Sequence, residues 1–391
     1  MKIWMTCEKL TEGCAPNVTV LEIRNNLKKM NHEVLLFCPG TERRHAPVGE
    51  SDIKFVPTLN IRWLGDVLYQ FLLAFSMLVS CLKSRPNWIY TRFKIYMISP
   101  ALISKLIRVP HIVHLSGDTV DQLRGTGYHP LFVAIYAMVE KINCKLSDRV
   151  VVTTFNNKAN HQRRHRLPAD RVVVIENGAN TDLFRPIDIA QARKEVGIEK
   201  DCLCVGFVGN LWVYEGVPHF IEAAPMILRE IPTARFFIVG DGPMKEELVE
   251  LTEKAGVSDK FMFTGRVPYK TVPVYIAAMD IGVVPLDTTK CKKTGISSIK
   301  LREYLACGRP VVGSDIDGVG NVLREANAGF AVIPENTSDF AQAIVRLLRD
   351  RAPREEMGKN GRKYVLENLS WEVSTRKLVE AYESAAAESR R

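Results

Sequence analysis

The sequence predicts an α/β protein built from two doubly wound, Rossmann-like domains in succession. Three observations carry this expectation. The chain has 391 residues, enough for two or three domains at ~100–200 residues each. Short apolar runs alternate with longer amphipathic stretches, the pattern of βαβ units on a parallel sheet. The alternation pauses at Arg185-Pro186-Ile187-Asp188 and a short charged helix, then restarts at Cys204. A composition of 46% apolar and 25% charged residues excludes disordered and collagen-like classes.

In the first half, strands are expected near Ile3–Thr6, Val34–Phe37, Trp88–Tyr90, Ile112–Leu115, Val150–Thr153 and Val172–Ile175. Helical spacing predicts Thr19–Met30, Met97–Ile107, His129–Lys145 and Asn157–His165. In the second half, strands are expected at Cys204–Val208, Arg235–Val239, Lys260–Thr264, Ile281–Pro285, Pro310–Gly313 and Phe330–Ile333. Ser338 to about Ala387 reads as helical, interrupted near Ala352-Pro353 and at Leu369-Ser370, where Ser370 is placed to cap the last helix. Two doubly wound sheets bring the carboxyl ends of their strands, and so their ligand loops, to a shared crevice.

Charge is unevenly placed. Residues 1–196 hold 27 Lys and Arg against 17 Asp and Glu, and the remainder holds 26 against 27, so the net +9 resides in the first half. That asymmetry points to an anionic partner, a nucleic acid or a membrane surface. No nucleic-acid-binding module or basic stripe interleaved with aromatics is present, which disfavours the first. Nine scattered cysteines without a CxxC read as reduced core thiols of a cytosolic protein, with no structural zinc site. The N-terminus, Met1-Lys2-Ile3-Trp4-Met5, reads as a buried strand rather than a signal peptide. From Val67 to Leu82 no residue is charged, but sixteen residues fall short of the ~20 that span a bilayer. Two readings stand: a core helix, or a helix dipping into a membrane face, flanked by Arg62, Trp63, Lys83 and Arg85.

Three strand-to-helix loops of the second half have the residues to hold a phosphate. Gly206-Phe207-Val208-Gly209-Asn210 would let a backbone N–H at Gly209 approach a diphosphate. Val239-Gly240-Asp241-Gly242-Pro243 is a tight turn with Pro243 suited to a first helical position. The Gly206–Asn210 loop lacks the dinucleotide GxGxxG spacing, so a nicotinamide enzyme is not supported. The third loop combines Lys290, Lys292 and Lys293 with Thr294-Gly295-Ile296-Ser297-Ser298 and the helix from Ile299. Ser297 and Ser298 are placed to cap that helix and present its free N–H groups. Lys300 and Glu303, at i and i+3, share a face: a cation for diphosphate and a carboxylate for ribose, or an ordinary surface salt bridge.

These pieces resemble the nucleotide-sugar domain of family-4 retaining glycosyltransferases, which have the two-domain GT-B fold. The resemblance rests on Glu176-Asn177-Gly178-Ala179-Asn180-Thr181-Asp182-Leu183-Phe184-Arg185-Pro186, Tyr214-Glu215-Gly216, Gly240-Asp241-Gly242-Pro243, Phe263-Thr264-Gly265-Arg266-Val267 and the run Lys300–Pro310. It covers about residues 150–385, and the first 150 match in layout only. It implies an N-terminal acceptor domain at 1–190, a nucleotide-sugar domain at 191–368, and a last helix at 369–391 that packs back on the first domain. It further implies that Glu303 bonds the donor ribose and that backbone at Arg266 and Val267 meets the base. Gly209, Lys300 and the Ser297–Ser298 amides would hold the diphosphate, with Asn210, Gly240 and Leu301 beside them. Such enzymes need no metal, since lysine and helix termini supply the positive charge.

Three positions depart from the family. Gly295 stands where a second Glu is common, eight residues before Glu303, and Asn210 and Glu215 stand where many members have Arg and Lys. In the first half, Gly13 of Thr11-Glu12-Gly13-Cys14-Ala15-Pro16 would face the donor phosphates. His114 and Asp118, at or just past a strand end, are candidates to position the acceptor hydroxyl, or a hydrogen-bonded structural His and a turn Asp. His161-Gln162-Arg163-Arg164-His165-Arg166 reads as a solvated helix face rather than a phosphate patch. The expected function is transfer of a hexose, with retention, from a nucleoside-diphosphate sugar to a lipid-linked or soluble hydroxyl acceptor in glycan or glycolipid synthesis. Its expected place is the cytoplasmic side of an anionic membrane, bound peripherally. A sugar-nucleotide epimerase and a non-catalytic sugar-nucleotide-binding subunit are the alternatives.

Overall fold

Apolar runs rich in Val, Ile and aromatic residues form parallel strands, and the intervening stretches form helices that cover them. The computed structural model describes residues 1–7, 15–45, 51–58, 64–93, 97–117, 119–125, 128–199, 202–288 and 295–388. The chain divides into two units, one of Met1–Glu176 with Trp371–Arg391, the other of Asn177–Ser370.

In the first unit the order is β1 (Lys2–Thr6), α1 (Ala15–Lys29), β2 (Glu33–Pro39), β3 (Ile53–Val56), α2 (Leu64–Lys83), β4 (Trp88–Arg92) and α3 (Ser99–Leu106). It continues with β5 (His111–Leu115), α4 (Thr119–Gly125), α5 (Pro130–Leu146), β6 (Arg149–Val152), α6 (Phe155–His165) and β7 (Val172–Val174). The strands run parallel in the order β3-β2-β1-β4-β5-β6-β7, with Ile3 set between Val34 and Trp88. β3 is the strand that sequence reading misses. It is a four-residue edge strand carrying Lys54, a short charged edge of the kind that discourages further pairing.

The chain steps from β1 to β3 in one direction and from β3 to β7 in the other. Right-handed crossovers therefore put α1 on one face and α2, α3, α5 and α6 on the other. The last helix, Trp371–Glu388, joins α1, with Tyr382 stacked on Trp88 at 5.1 Å and Arg149 paired to Glu388. α2 is longer than the uncharged stretch Val67–Leu82 suggested. It is 20 residues long, and its segment Gly65–Lys83, with mean hydropathy 1.6, is long and apolar enough to cross a membrane by composition. Tyr69, Leu73 and Met77 nevertheless pack into the core over Trp4, Ile89 and Val113. Its opposite face is apolar and bare, with Phe71 70% exposed, Phe75 67% and Leu82 89%, so it is not simply a core helix.

The second unit contains α7 (Ile189–Val196), β8 (Leu203–Val208), α8 (Val217–Glu230), β9 (Ala234–Val239), α9 (Lys245–Lys254), β10 (Phe261–Gly265), α10 (Val272–Ala278) and β11 (Ile281–Val284). There follow α11 (Ile299–Ala306), β12 (Val311–Ser314), α12 (Gly320–Ala326), β13 (Gly329–Val332), α13 (Thr337–Arg349) and α14 (Arg351–Asn368); the last helix is α15. The parallel sheet has the order β10-β9-β8-β11-β12-β13. The first boundary falls at Glu176 rather than 190, because the segment from Asn177 is built into the second unit. The Asn177 N–H donates to Ser297 Oγ at 2.9 Å, Ala179 N–H to Leu369 O at 2.9 Å, and Arg362 Nη1 to the carbonyl of fully buried Phe184 at 2.8 Å. The break expected near Ala352-Pro353 lies at Asp350, since Pro353 sits in the first turn of α14, where a missing N–H leaves no bond unmade.

Of the nine cysteines, Cys38, Cys81, Cys144, Cys202, Cys204 and Cys307 are described as free thiols, all buried except half-buried Cys81. His111 is wholly buried in β5, with Nδ1 2.9 Å from Ser147 Oγ and Nε2 2.9 Å from Thr91 Oγ1. Burial pushes its imidazole down to about 3. Between that value and the ordinary ~6.5 the unfolded chain binds a proton that the folded chain does not, so stability falls as pH falls through this window. Urea unfolding of the first unit should weaken below pH 6.5, with His111 contributing up to about 1.4 kcal/mol per pH unit. His111→Asn, less stable at pH 7, should show a shallower decline; an unchanged slope would refute the assignment.

Candidate functional site

In the second unit the chain runs from β8 outward to β9 and β10, then returns to β11 and continues the other way. The reversal leaves a gap at the carboxyl ends of β8 and β11, the usual place for a ligand in such a sheet. The loops at that end are stitched together by backbone bonds. Gly209 N–H donates to Val239 O at 2.9 Å, Gly240 N–H to Gly265 O at 3.0 Å, and Leu211 N–H to Asp241 O at 3.0 Å. Gly240 has φ +142°, and a Cβ there would lie 1.8 Å from the Gly209 carbonyl, so close packing demands this glycine. A Cβ on Gly209 would lie 2.6 Å from Lys300 Nζ, which puts the lysine directly over the first loop.

Lys300 comes from the first turn of α11. Its ammonium pairs with Glu215 and sits 4.2 Å from the centre of the Phe207 ring; the paired side chains are only 11% and 12% exposed. It is therefore not engaged in a surface bridge with Glu303. Glu303, also buried, accepts a hydrogen bond at its Oε1 from the Tyr269 hydroxyl at 2.8 Å. The next residue, Tyr304, locks α11 to the sheet: its hydroxyl accepts the Val208 N–H at 2.6 Å, and Gly282 leaves room for its ring. Burial raises the Tyr304 hydroxyl well above its ordinary pKa, so it stays protonated.

The two serines act differently from expectation. Ser297 Oγ accepts from Asn177, which anchors the incoming segment, and Ser298 occupies the cap position of α11 without a side-chain cap bond. Neither hydroxyl caps α11, so what this segment can offer an anion is the backbone at the helix start. Leu301 is fully buried in the core, so its side chain is excluded from any ligand and only its first-turn N–H is relevant. Asn210 and Arg266 are exposed beyond β8 and β10, and Val267 is half-buried against the core. Gly295 has φ +65°, and a Cβ would come 2.6 Å from Asp317 O, so the backbone here is shaped for glycine and leaves no room for the glutamate common in the family. Glu215 as the partner of Lys300, and Tyr269 and Tyr304 as supports, were not legible in sequence because each pairing is long-range.

In the first unit His114 is buried at the end of β5. The protonated Tyr90 hydroxyl, its own pKa raised by burial, meets His114 Nδ1 at 2.6 Å, and His114 Nε2 has no hydrogen-bond partner among the described residues. Burial first, and the Arg92 charge second, push the imidazole well below its ordinary value. His114 is thus a neutral ring held by Tyr90, able to offer an Nε2–H but not to titrate as a base near neutrality. Asp118, Gly13 and the lysines at 290, 292 and 293 lie outside the described residues.

Comparison with known proteins supplies the family. Residues 188–364 match the model of "Glycosyl transferases group 1", and residues 16–183 that of "Glycosyltransferase Family 4". The alpha-D-kanosaminyltransferase of Streptomyces kanamyceticus is 29% identical over 67% of this chain and 67% of its own. A GDP-mannose-dependent alpha-(1-6)-phosphatidylinositol monomannoside mannosyltransferase of Mycobacterium tuberculosis is 27% identical over 66% of this chain and 68% of its own. The fold is that of HepE from Anabaena, solved in complex with UDP: TM-score 0.76 over 98% of this chain and 100% of the other, at 16% identity.

The loop packing gives a direct test. Gly240→Ala should cost several times what Gly256→Ala costs in urea unfolding of the second unit. Gly256 also has positive φ, but nothing lies within 4 Å of its Cβ, leaving only conformational strain of about 1 kcal/mol. Equal costs would show that the Gly209–Gly240 contact does not constrain the loops.

Proposed function

Because the chain belongs to the family-4, group 1 glycosyltransferases of GT-B fold, we propose that it moves a sugar from a nucleoside-diphosphate sugar to a hydroxyl. The carrying observation is the convergence of Lys300, Gly209 and the first turn of α11 at the β8/β11 reversal, with the Glu303 carboxylate on the same helix. Lys300 and the free N–H groups of α11 would meet the diphosphate and stabilise its charge as the glycosidic bond breaks. Glu303, oriented by Tyr269, would accept from the ribose hydroxyls, and backbone at Arg266 and Val267 would meet the base. We read the transfer as retaining and as independent of metal, both as the family resemblance implies. Lys300→Ala and Glu303→Ala should each weaken nucleotide binding by roughly 10–100-fold, measured by calorimetry; unchanged affinity in both would end this reading. Turnover unaffected by a chelator would support metal independence.

The acceptor reading is a lipid-linked saccharide or phospholipid at an anionic membrane, with the chain bound peripherally. It rests on one layer of the first unit, where α2 neighbours α3 and α3 neighbours α5. Val67, Phe71, Phe75 and Leu82 of α2, Leu102 and Leu106 of α3, and Leu131 and Met138 of α5 are all exposed. Lys83 ends α2, and Lys141 and Lys145 extend the outer stripe of α5, so cations border the apolar face. Apolar side chains edged by lysine fit the interface of an anionic bilayer. The lipid-directed name of the mycobacterial relative is consistent with it. Binding to anionic vesicles should fall with added salt and fall further in Phe71→Ser/Phe75→Ser, read by co-sedimentation. Binding indifferent to salt and lipid charge would contradict the membrane assignment.

The Glu215–Lys300 pair favours one alternative, a non-catalytic sugar-nucleotide-binding subunit, because it neutralises the main cation of the site. Release of free nucleotide only when acceptor-containing membrane extract is added would exclude that alternative, and release without any acceptor would support neither reading.

A further inference from the structure

We propose that Glu140, His161 and His165 form a buried centre for a divalent transition metal, Zn²⁺ by the chemistry of its ligands, in the first unit. The run from His161 to Arg166 is not a uniformly solvated face. Arg163 and Arg166 are exposed, while His161 and His165, one turn apart on α6, point inward. There they meet Glu140 of α5, which is 1% exposed.

The geometry suits a small ion. One donor atom from each of the three residues lies within 4.8 Å of the others. Glu140 Oε1 is 2.9 Å from His165 Nε2 and 3.7 Å from His161 Nδ1. Four-coordinate zinc, with bonds of about 2.0–2.2 Å, sets neighbouring ligand atoms roughly 3.4 Å apart, between these two values. Two imidazoles with one carboxylate select zinc or a neighbouring transition ion over magnesium or calcium, which take oxygen ligands. Histidines at i and i+4 present their rings on one side of a helix, the spacing that recurs in zinc sites.

Charge and hydrogen bonding point the same way. A buried carboxylate needs a compensating cation. Arg164 lies 3.8 Å from Glu140 Oε1 but also pairs with Asp121 at 3.1 Å, so its charge is shared. His161 Nδ1, 3.7 Å from Glu140 Oε1, is too far for a hydrogen bond between them but at a separation that two ligands of one small ion would have. Without metal, His165 holds Glu140 directly. With metal, the ligands lose the protons they share and the ion bridges α5 to α6. The role of the ion is structural, tying α5 to α6 within the first unit.

The test uses the full chain, stripped with a chelator, desalted, and loaded with Zn²⁺ or Co²⁺. The expected result is about one ion retained per chain, a higher thermal midpoint, and visible bands of tetrahedral Co²⁺ without thiolate charge transfer. Glu140→Gln and His161→Gln should each weaken retention at least tenfold, by metal analysis, while Cys202→Ser, which breaks the Cys202–Cys204 thiol pair, should not. The wild-type cobalt spectrum needs no variant and so stands even if one fails to fold. No retained ion and no thermal shift would overturn the proposal, as would thiolate bands or full retention in a folded Glu140→Gln/His161→Gln double variant.

Discussion

One buried guanidinium sets the geometry on which the second unit's site depends. Arg302 is wholly buried within α11, with Nε donating to Asn177 O at 2.9 Å and Nη1 to Ser298 O at 2.8 Å and Gly318 O at 3.4 Å. A buried cation is tolerated only where carbonyl dipoles or counter-charges replace its water. Here the carbonyls come from three places: the segment that enters the unit, the residue just before α11, and the turn before α12. Their common need for one charge fixes where α11 begins. Once its first turn is fixed, helical spacing settles where Lys300 and Glu303 emerge, and Tyr304 ties the next turn to β8. The domain boundary follows from this interaction too, since Asn177 cannot belong to the first unit while Arg302 and Ser297 hold it in the second.

The strands were legible because parallel strands buried on both faces read as continuous apolar runs. Ile53–Val56 escaped because an edge strand need not be apolar throughout, and Lys54 breaks the run. At the loops beyond β8 and β11 the glycines and the Lys300–Glu303 spacing were visible, but their partners were not. Sequence proximity offered Glu303 to Lys300, whereas the folded chain supplies Glu215, 85 residues away. Leu301 shows the converse error: it lies between two polar site residues, yet helical rotation turns it into the core. The same rotation hid the histidines of α6. A run dominated by arginine reads as solvated by composition, while its period of four carries His161 and His165 inward.

The Glu215–Lys300 pair shapes how a diphosphate would be handled on the proposed reading. The carboxylate is not free to drift, because Gly216, next in the chain, has φ +66° and packs against the Pro285 carbonyl, where a Cβ would come within 1.8 Å. An entering diphosphate must therefore share the Lys300 ammonium with a carboxylate of its own sign. The Phe207 ring holds the ammonium over its face, and the first-turn amides of α11 keep positive potential at the site while that exchange occurs. The carboxylate weakens the hold on a diphosphate in every state, and most where the negative charge is greatest, which is the departing nucleotide. A site built in this way gives up affinity for its product and so favours release, the step that limits turnover in many enzymes.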